Sequence, residues 1–128
     1  MKKTIIILAI VALAATCFAA TPQLDKKALD KAIQAYTMAL NSDNPGLRNS
    51  ALHQLAVLKN KYPEANFTTI ERVIERLAKQ DKNVSVRLNA NLTYQYLLDE
   101  DLATKVNPVV IDPTAFFSEL YTQIATAE

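Results

Sequence analysis

Residues 47–55 and 86–94 carry one phrase twice, 39 positions apart. Leu47-Arg48-Asn49-Ser50-Ala51 is followed four residues later by Leu55, and Val86-Arg87-Leu88-Asn89-Ala90 by Tyr94. An aliphatic residue, an arginine, a small residue three positions on and a large apolar one four beyond that fall at helical spacing. A recurrence near 40 residues is the mark of helical hairpins stacked on one another. Each hairpin has more apolar surface than it buries alone, so neighbours must share a core. The expected fold is all-α: a short α-solenoid of stacked antiparallel hairpins with about five helices.

The first twenty residues read differently from the rest. Met1-Lys2-Lys3 is a short basic start, an uncharged apolar stretch runs from Ile5 to Ala15, and Thr16-Cys17-Phe18-Ala19-Ala20 closes it with mostly small residues. This is the three-part layout of a secretory signal peptide, with cleavage expected after Ala19 or Ala20. The stretch is short of the roughly 20 residues that span a bilayer. The expectation is an exported chain, periplasmic or secreted, with no integral membrane segment after signal removal. Ala14-Ala15-Thr16 before Cys17 matches a lipoprotein signal poorly, so the only cysteine is expected to leave with the leader. What remains then holds together by its core alone, without a disulfide.

Two of the 14 Lys and Arg residues lie in this leader, so against 13 acids the remainder carries a formal charge near −1. A nucleic-acid partner would call for a basic surface, and none is expected. Residues 21–128 have the size of one domain with one core.

Gly46 is the only glycine and tryptophan is absent, and apolar residues follow helical rather than alternating spacing. The first helix is expected after Thr21-Pro22, with Leu24, Ala28, Ala32, Tyr36 and Leu40 as its stripe. The cluster 41–46 must turn. A second helix runs from about Leu47 to Lys61. A third is announced by a capping box, Thr68 with Glu71, and buries Phe67, Ile70, Val73, Ile74 and Leu77. Glu75 and Lys79 pair along its solvated side. The fourth spans about Val84 to Leu98. Residues 99–112 read as a loop whose Val109-Val110-Ile111 segment packs on the helices. Asp112-Pro113 starts a last, capping helix over about 113–126, with Phe116 or Phe117, Leu120, Tyr121 and Ile124 inward.

Asp81 followed by Val86-Arg87 and then Ala90 resembles the second helix of a HEAT repeat, and Leu47-Arg48 with Ala51 is a second match. Asp43 lies one residue nearer its arginine than Asp81 does, which is a departure in the turn. The resemblance covers two repeats, about 24–61 and 66–99, with the last helix resembling half of a third. It implies that Leu47, Arg48, Ala51, Leu55, Val86, Arg87, Ala90 and Tyr94 are structural. The two guanidiniums are then expected to reach turn acids or neighbouring carbonyls.

Chemistry is hard to assemble from these residues. With one histidine, His53, neither a His-pair zinc site nor a His-based dyad with a mature cysteine exists. Asp99-Glu100-Asp101 lacks the alternating spacing of a calcium loop. A single glycine leaves no phosphate-cradling loop. No enzyme activity, cofactor or metal is expected. On the helical wheel His53 falls opposite Leu47, Ala51 and Leu55, so it is expected at the surface. Leu88, Leu92 and Tyr96 turn away from the core face of the fourth helix. They are expected either to be covered by the last helix or the Val109–Ile111 segment, or to form an apolar patch for a partner. The resemblance implies a binding surface on the second helices. The expected function is therefore a protein–protein interaction module, self-association included, with Asn49, His53, Leu88, Leu92, Gln95 and Tyr96 as candidate contacts. The alternative is a carrier holding a small apolar ligand or lipid between helices.

Overall fold

In the computed structural model the described residues are 24–109 and 111–127. The leader, Cys17, Thr21-Pro22 and Val110 lie outside them. Among the described residues there are six helices and no strand: α1 (Lys26–Leu40), α2 (Pro45–Lys61), α3 (Thr68–Gln80), α4 (Val84–Leu98), α5 (Glu100–Lys105) and α6 (Pro113–Ala127).

Short polar side chains set most of the starts, by accepting from backbone N–H groups that the first turn leaves free. Asp25 Oδ1 takes Ala28 N at 2.7 Å, which begins α1 at Lys26. Asn44 takes Gly46 N and Leu47 N, and Pro45 follows it where no N–H is needed. Asn83 caps α4 through Val86 N, and Asp112 caps α6 through Ala115 N. The capping box expected at Thr68 does not form. Thr68 is already helical, and the residue before it, Phe67, has no side-chain acceptor to cap with; Asn66 Oδ1 accepts from Thr68 N at 3.0 Å.

The sixth helix is a correction. Residues 100–105, expected as loop, form α5, capped by Asp99 through Asp101 N. Glu100 and Asp101 sit at its positive end and Lys105 at its negative end, so the acidic triplet stabilises a helix start.

The two hairpins, α1–α2 and α3–α4, pack first helix to first and second to second. α6 lies across α2 and α4, and α5 bridges α4 to α6. The core is one cluster: Leu40, Leu52, Leu55 and Ala56 meet Ile70, Ile74, Val86, Ala90 and Tyr96, and Phe116 and Leu120 close it. α2 and α4 are the inner helices, so burial runs around most of their circumference rather than along one stripe. In α2 the whole run Ala51–Leu58 is buried except Gln54 and Val57.

Three residues expected in the core are not there. Leu24, Tyr121 and Leu47 are substantially exposed. Leu47 matches Val86, which is fully buried against the preceding hairpin. The described residues place no hairpin before the first, so Leu47 keeps the same orientation without the cover.

Candidate functional site

The repetition is closest in the turn and the helix that follows it. Ser42, Asn44 and Arg48 stand 39 positions before Asp81, Asn83 and Arg87, and the geometry repeats with them. Arg48 Nη1 donates to Ser42 O at 2.8 Å, and Arg87 Nη1 donates to Asp81 O at 2.6 Å. The structural counterpart of Asp81 is thus Ser42, not Asp43, so the first turn has a serine where the second has its acid. Arg48 also reaches across to the second hairpin: Nη2 donates to Asp81 Oδ1 at 3.0 Å, and Nε lies 2.8 Å from Oδ2. Asp81 further accepts from Asn83 N at 2.9 Å. One carboxylate therefore closes its own turn and ties it to the arginine of the hairpin before.

Burial pushes the Asp81 carboxyl up, but the Asn83 N–H and the Arg48 and Arg87 guanidiniums together hold it below its ordinary value. A lowered native value means that the unfolded chain binds the proton more readily. The stabilisation is therefore full above about pH 4 and is lost as pH falls through the lowered native value. In Asp81→Asn the acid limb of a stability–pH curve is expected to flatten, with the largest difference from the parent near neutral pH.

A second polar cluster holds the segment between α5 and α6. His53 Nε2 is 2.9 Å from Pro108 O, and the Tyr96 hydroxyl donates to Val106 O at 3.2 Å. Phe116 packs edge-on against both rings, 5.3 Å from His53 and 5.5 Å from Tyr96. Because Pro108 O only accepts, His53 carries its proton on Nε2. Burial raises the Tyr96 phenol above its ordinary value, while the hydrogen bond from Asn60 works the other way. His53, expected at the surface, is only 6% exposed. The wheel of α2 taken alone does not show α6 and the 106–108 segment, which cover that face. It is Val106 and Pro108 that are buried there, while Val109 is exposed.

Beside this cluster runs an open groove of ≈ 570 Å³ between the N-terminal halves of α2, α4 and α6. Gly46, Asn49 and Ser50 form one wall, Ser85, Leu88, Asn89 and Leu92 the floor, and Pro113, Phe117 and Tyr121 the other wall. Asn89 Nδ2 donates to Asn49 Oδ1 at 3.0 Å, and Asn49 Nδ2 to Ser85 Oγ at 3.3 Å, so the polar edge is laced across the two hairpins. Leu88 is 48% and Tyr121 57% exposed, which leaves apolar area open along the lining.

Of the six candidate contacts, the structure brings Asn49, Leu88 and Leu92 together here. Leu92 is 4% exposed, covered as core beneath Phe117, and offers a partner little surface. Tyr96 takes the covered alternative: it is fully buried, with its hydroxyl on Val106 O of the 106–108 segment. Gln95 lies elsewhere on α4, bonded to Asn91 at 2.8 Å beside Tyr94 and Asp99. His53 and Leu92 occupy equivalent repeat positions and both are buried, whereas Asn49 and Leu88 are equivalent and both line the groove. Ser85 and Asn89 were not among the candidate contacts, and Phe117 and Tyr121 were read from the apolar spacing of the last helix only as inward-facing residues.

No helix among the described residues is long and apolar enough to cross a membrane. Nor do the described residues gather three or more His, Cys, Asp or Glu side chains around a point that could hold a metal ion. In comparisons with protein-family models, curated proteins and solved structures, nothing matches this chain.

Proposed function

We propose that this is an exported, short HEAT-like helical array, a single domain over residues 21–128, which acts by binding another protein rather than by catalysis. The observation that supports it is Leu88. At the position where the first hairpin has Asn49, the second presents a half-exposed leucine that lines the groove together with Phe117, Tyr121 and the amides and hydroxyls of Asn49, Ser85 and Asn89. Exposed apolar area set among uncharged polar groups is the composition of a protein interface. Self-association through the same groove is one form of this reading.

Single substitutions separate the surface from the core. Leu88→Ser is expected to change stability by no more than about 0.5 kcal/mol, as at an open surface site. It is expected to weaken partner or self-association at least tenfold, read by sedimentation and by titration calorimetry. Leu92→Ser is expected to cost about 2–5 kcal/mol in urea unfolding, the range for truncating a core leucine. Retained association in a folded Leu88→Ser protein would sink the proposal.

The lining by Leu88, Phe117 and Tyr121 also supports a second reading, a carrier for a small apolar ligand. Organic extraction of the purified protein followed by mass spectrometry decides between them: a stoichiometric small molecule favours the carrier.

A further inference from the structure

None of the twelve residues lining the groove carries a charged side chain, although 21% of the chain is Asp, Glu, Lys or Arg. Lysine and aspartate line the trough along α1 instead, and acids line the one at the α4–α5 corner. The groove is thus the uncharged one of the three. A charged group brought into it would lose water and gain no opposite charge in return. An uncharged segment gives up much less. It gains apolar contact with Leu88, Phe117 and Tyr121, and its backbone groups meet neutral amides and hydroxyls of Asn49, Ser85 and Asn89. With no charged side chain in the lining, no contact ion pair holds the occupant, and ionic strength has little to screen at the contact itself.

We propose, building on the interface reading above, that the groove takes an uncharged protein segment with large apolar side chains at its centre. Its binding is independent of salt. The occupant is a stretch free of Asp, Glu, Lys and Arg over the part that lies in the groove, with an aliphatic or aromatic residue seated between Leu88 and Tyr121.

The test is selection of a phage-displayed random dodecapeptide library on the full chain, with affinities of the enriched peptides measured as synthetic peptides. The expected result is a set of peptides with uncharged, apolar centres. Their Kd should change less than about twofold between low and high salt, in the manner of contacts that release no ions. Their Kd should rise at least tenfold on Leu88→Ser, and circular dichroism should show that variant to be folded. Peptides that depend on Leu88 but are enriched in charge, with affinity falling steeply in salt, overturn the uncharged occupant and leave the groove standing. Peptides that bind Leu88→Ser equally well, or a library that yields no enriched sequence, overturn the groove as a protein-binding site. A Ser50→Arg variant is the complementary check: it adds a cation at the exposed rim and is expected to weaken the uncharged peptides. Unchanged binding in Ser50→Arg also counts against the groove.

Discussion

Phe116→Ala is expected to be the most damaging single substitution in this chain, costing about 3–5 kcal/mol in denaturant unfolding. Its ring is fully buried and meets three other rings, His53, Tyr96 and Phe117, at 5.1–5.5 Å between centroids. The cost extends beyond the lost apolar area. His53 and Tyr96 are the side chains that hold Pro108 O and Val106 O, and both lean on Phe116. A cavity there loosens the segment that leads into α6, and with it one wall of the groove. Melting is expected to fall by roughly 4 °C or more for each kcal/mol lost.

Asp81→Ala is the second large effect. Arg48 is 12% exposed at its side chain and Asp81 only 5%, so removing the carboxylate leaves a largely buried guanidinium without its counter-charge. Losing one partner of a buried pair costs about 3–5 kcal/mol. The lower end applies, because Arg48 keeps its bond to Ser42 O. Arg48→Ala is expected to cost less, since the abandoned Asp81 still accepts from Asn83 N. A double-mutant cycle in urea is expected to give a coupling within the range of about 0.5–3 kcal/mol seen for directly bonded pairs. A coupling near zero would mean that the Arg48–Asp81 pair adds nothing to the joint between the two hairpins beyond its packing and the Asn49, Ser85 and Asn89 hydrogen bonds.

The helices themselves were legible because their boundaries are set locally. Asp112-Pro113 is cap chemistry written in neighbouring residues, and the breakers of 41–46 do turn the chain, although Pro45 and Gly46 already belong to α2 because Asn44 caps it. The repeated phrase also pointed to Arg48 and Arg87 as turn and carbonyl partners, and that is where their guanidiniums lie. What the sequence could not supply was the second neighbour of α2 and α4. A helix packed on one side sorts its residues into two faces; a helix packed on several does not. His53 was assigned to solvent, and Tyr96 left open between cover and patch, on a one-sided wheel; the buried run through Ala51, Leu52 and His53 shows why that wheel fails. Their partners, Val106 and Pro108, sit 10 and 55 residues away and bond through backbone carbonyls, which no side-chain pattern encodes. The groove was half legible for the same reason. Asn49 and Leu88 were among the candidate contacts, but the lining supplied by Phe117 and Tyr121 depends on where α6 crosses. Leu47 and Tyr121 erred in the opposite direction: helical spacing gave the direction each side chain faces, but not whether anything lies there to cover it.

The central claim is that function resides on the open face where α2, α4 and α6 meet. A photo-crosslinking amino acid placed at position 88, and in a parallel protein at the exposed position Ala35 on α1, tests it in the native host. A discrete protein adduct at position 88, absent at position 35 and competed by the salt-insensitive peptides, is the result predicted. Adducts of equal yield at both positions, or none at position 88 while position 35 captures a discrete protein, would contradict it.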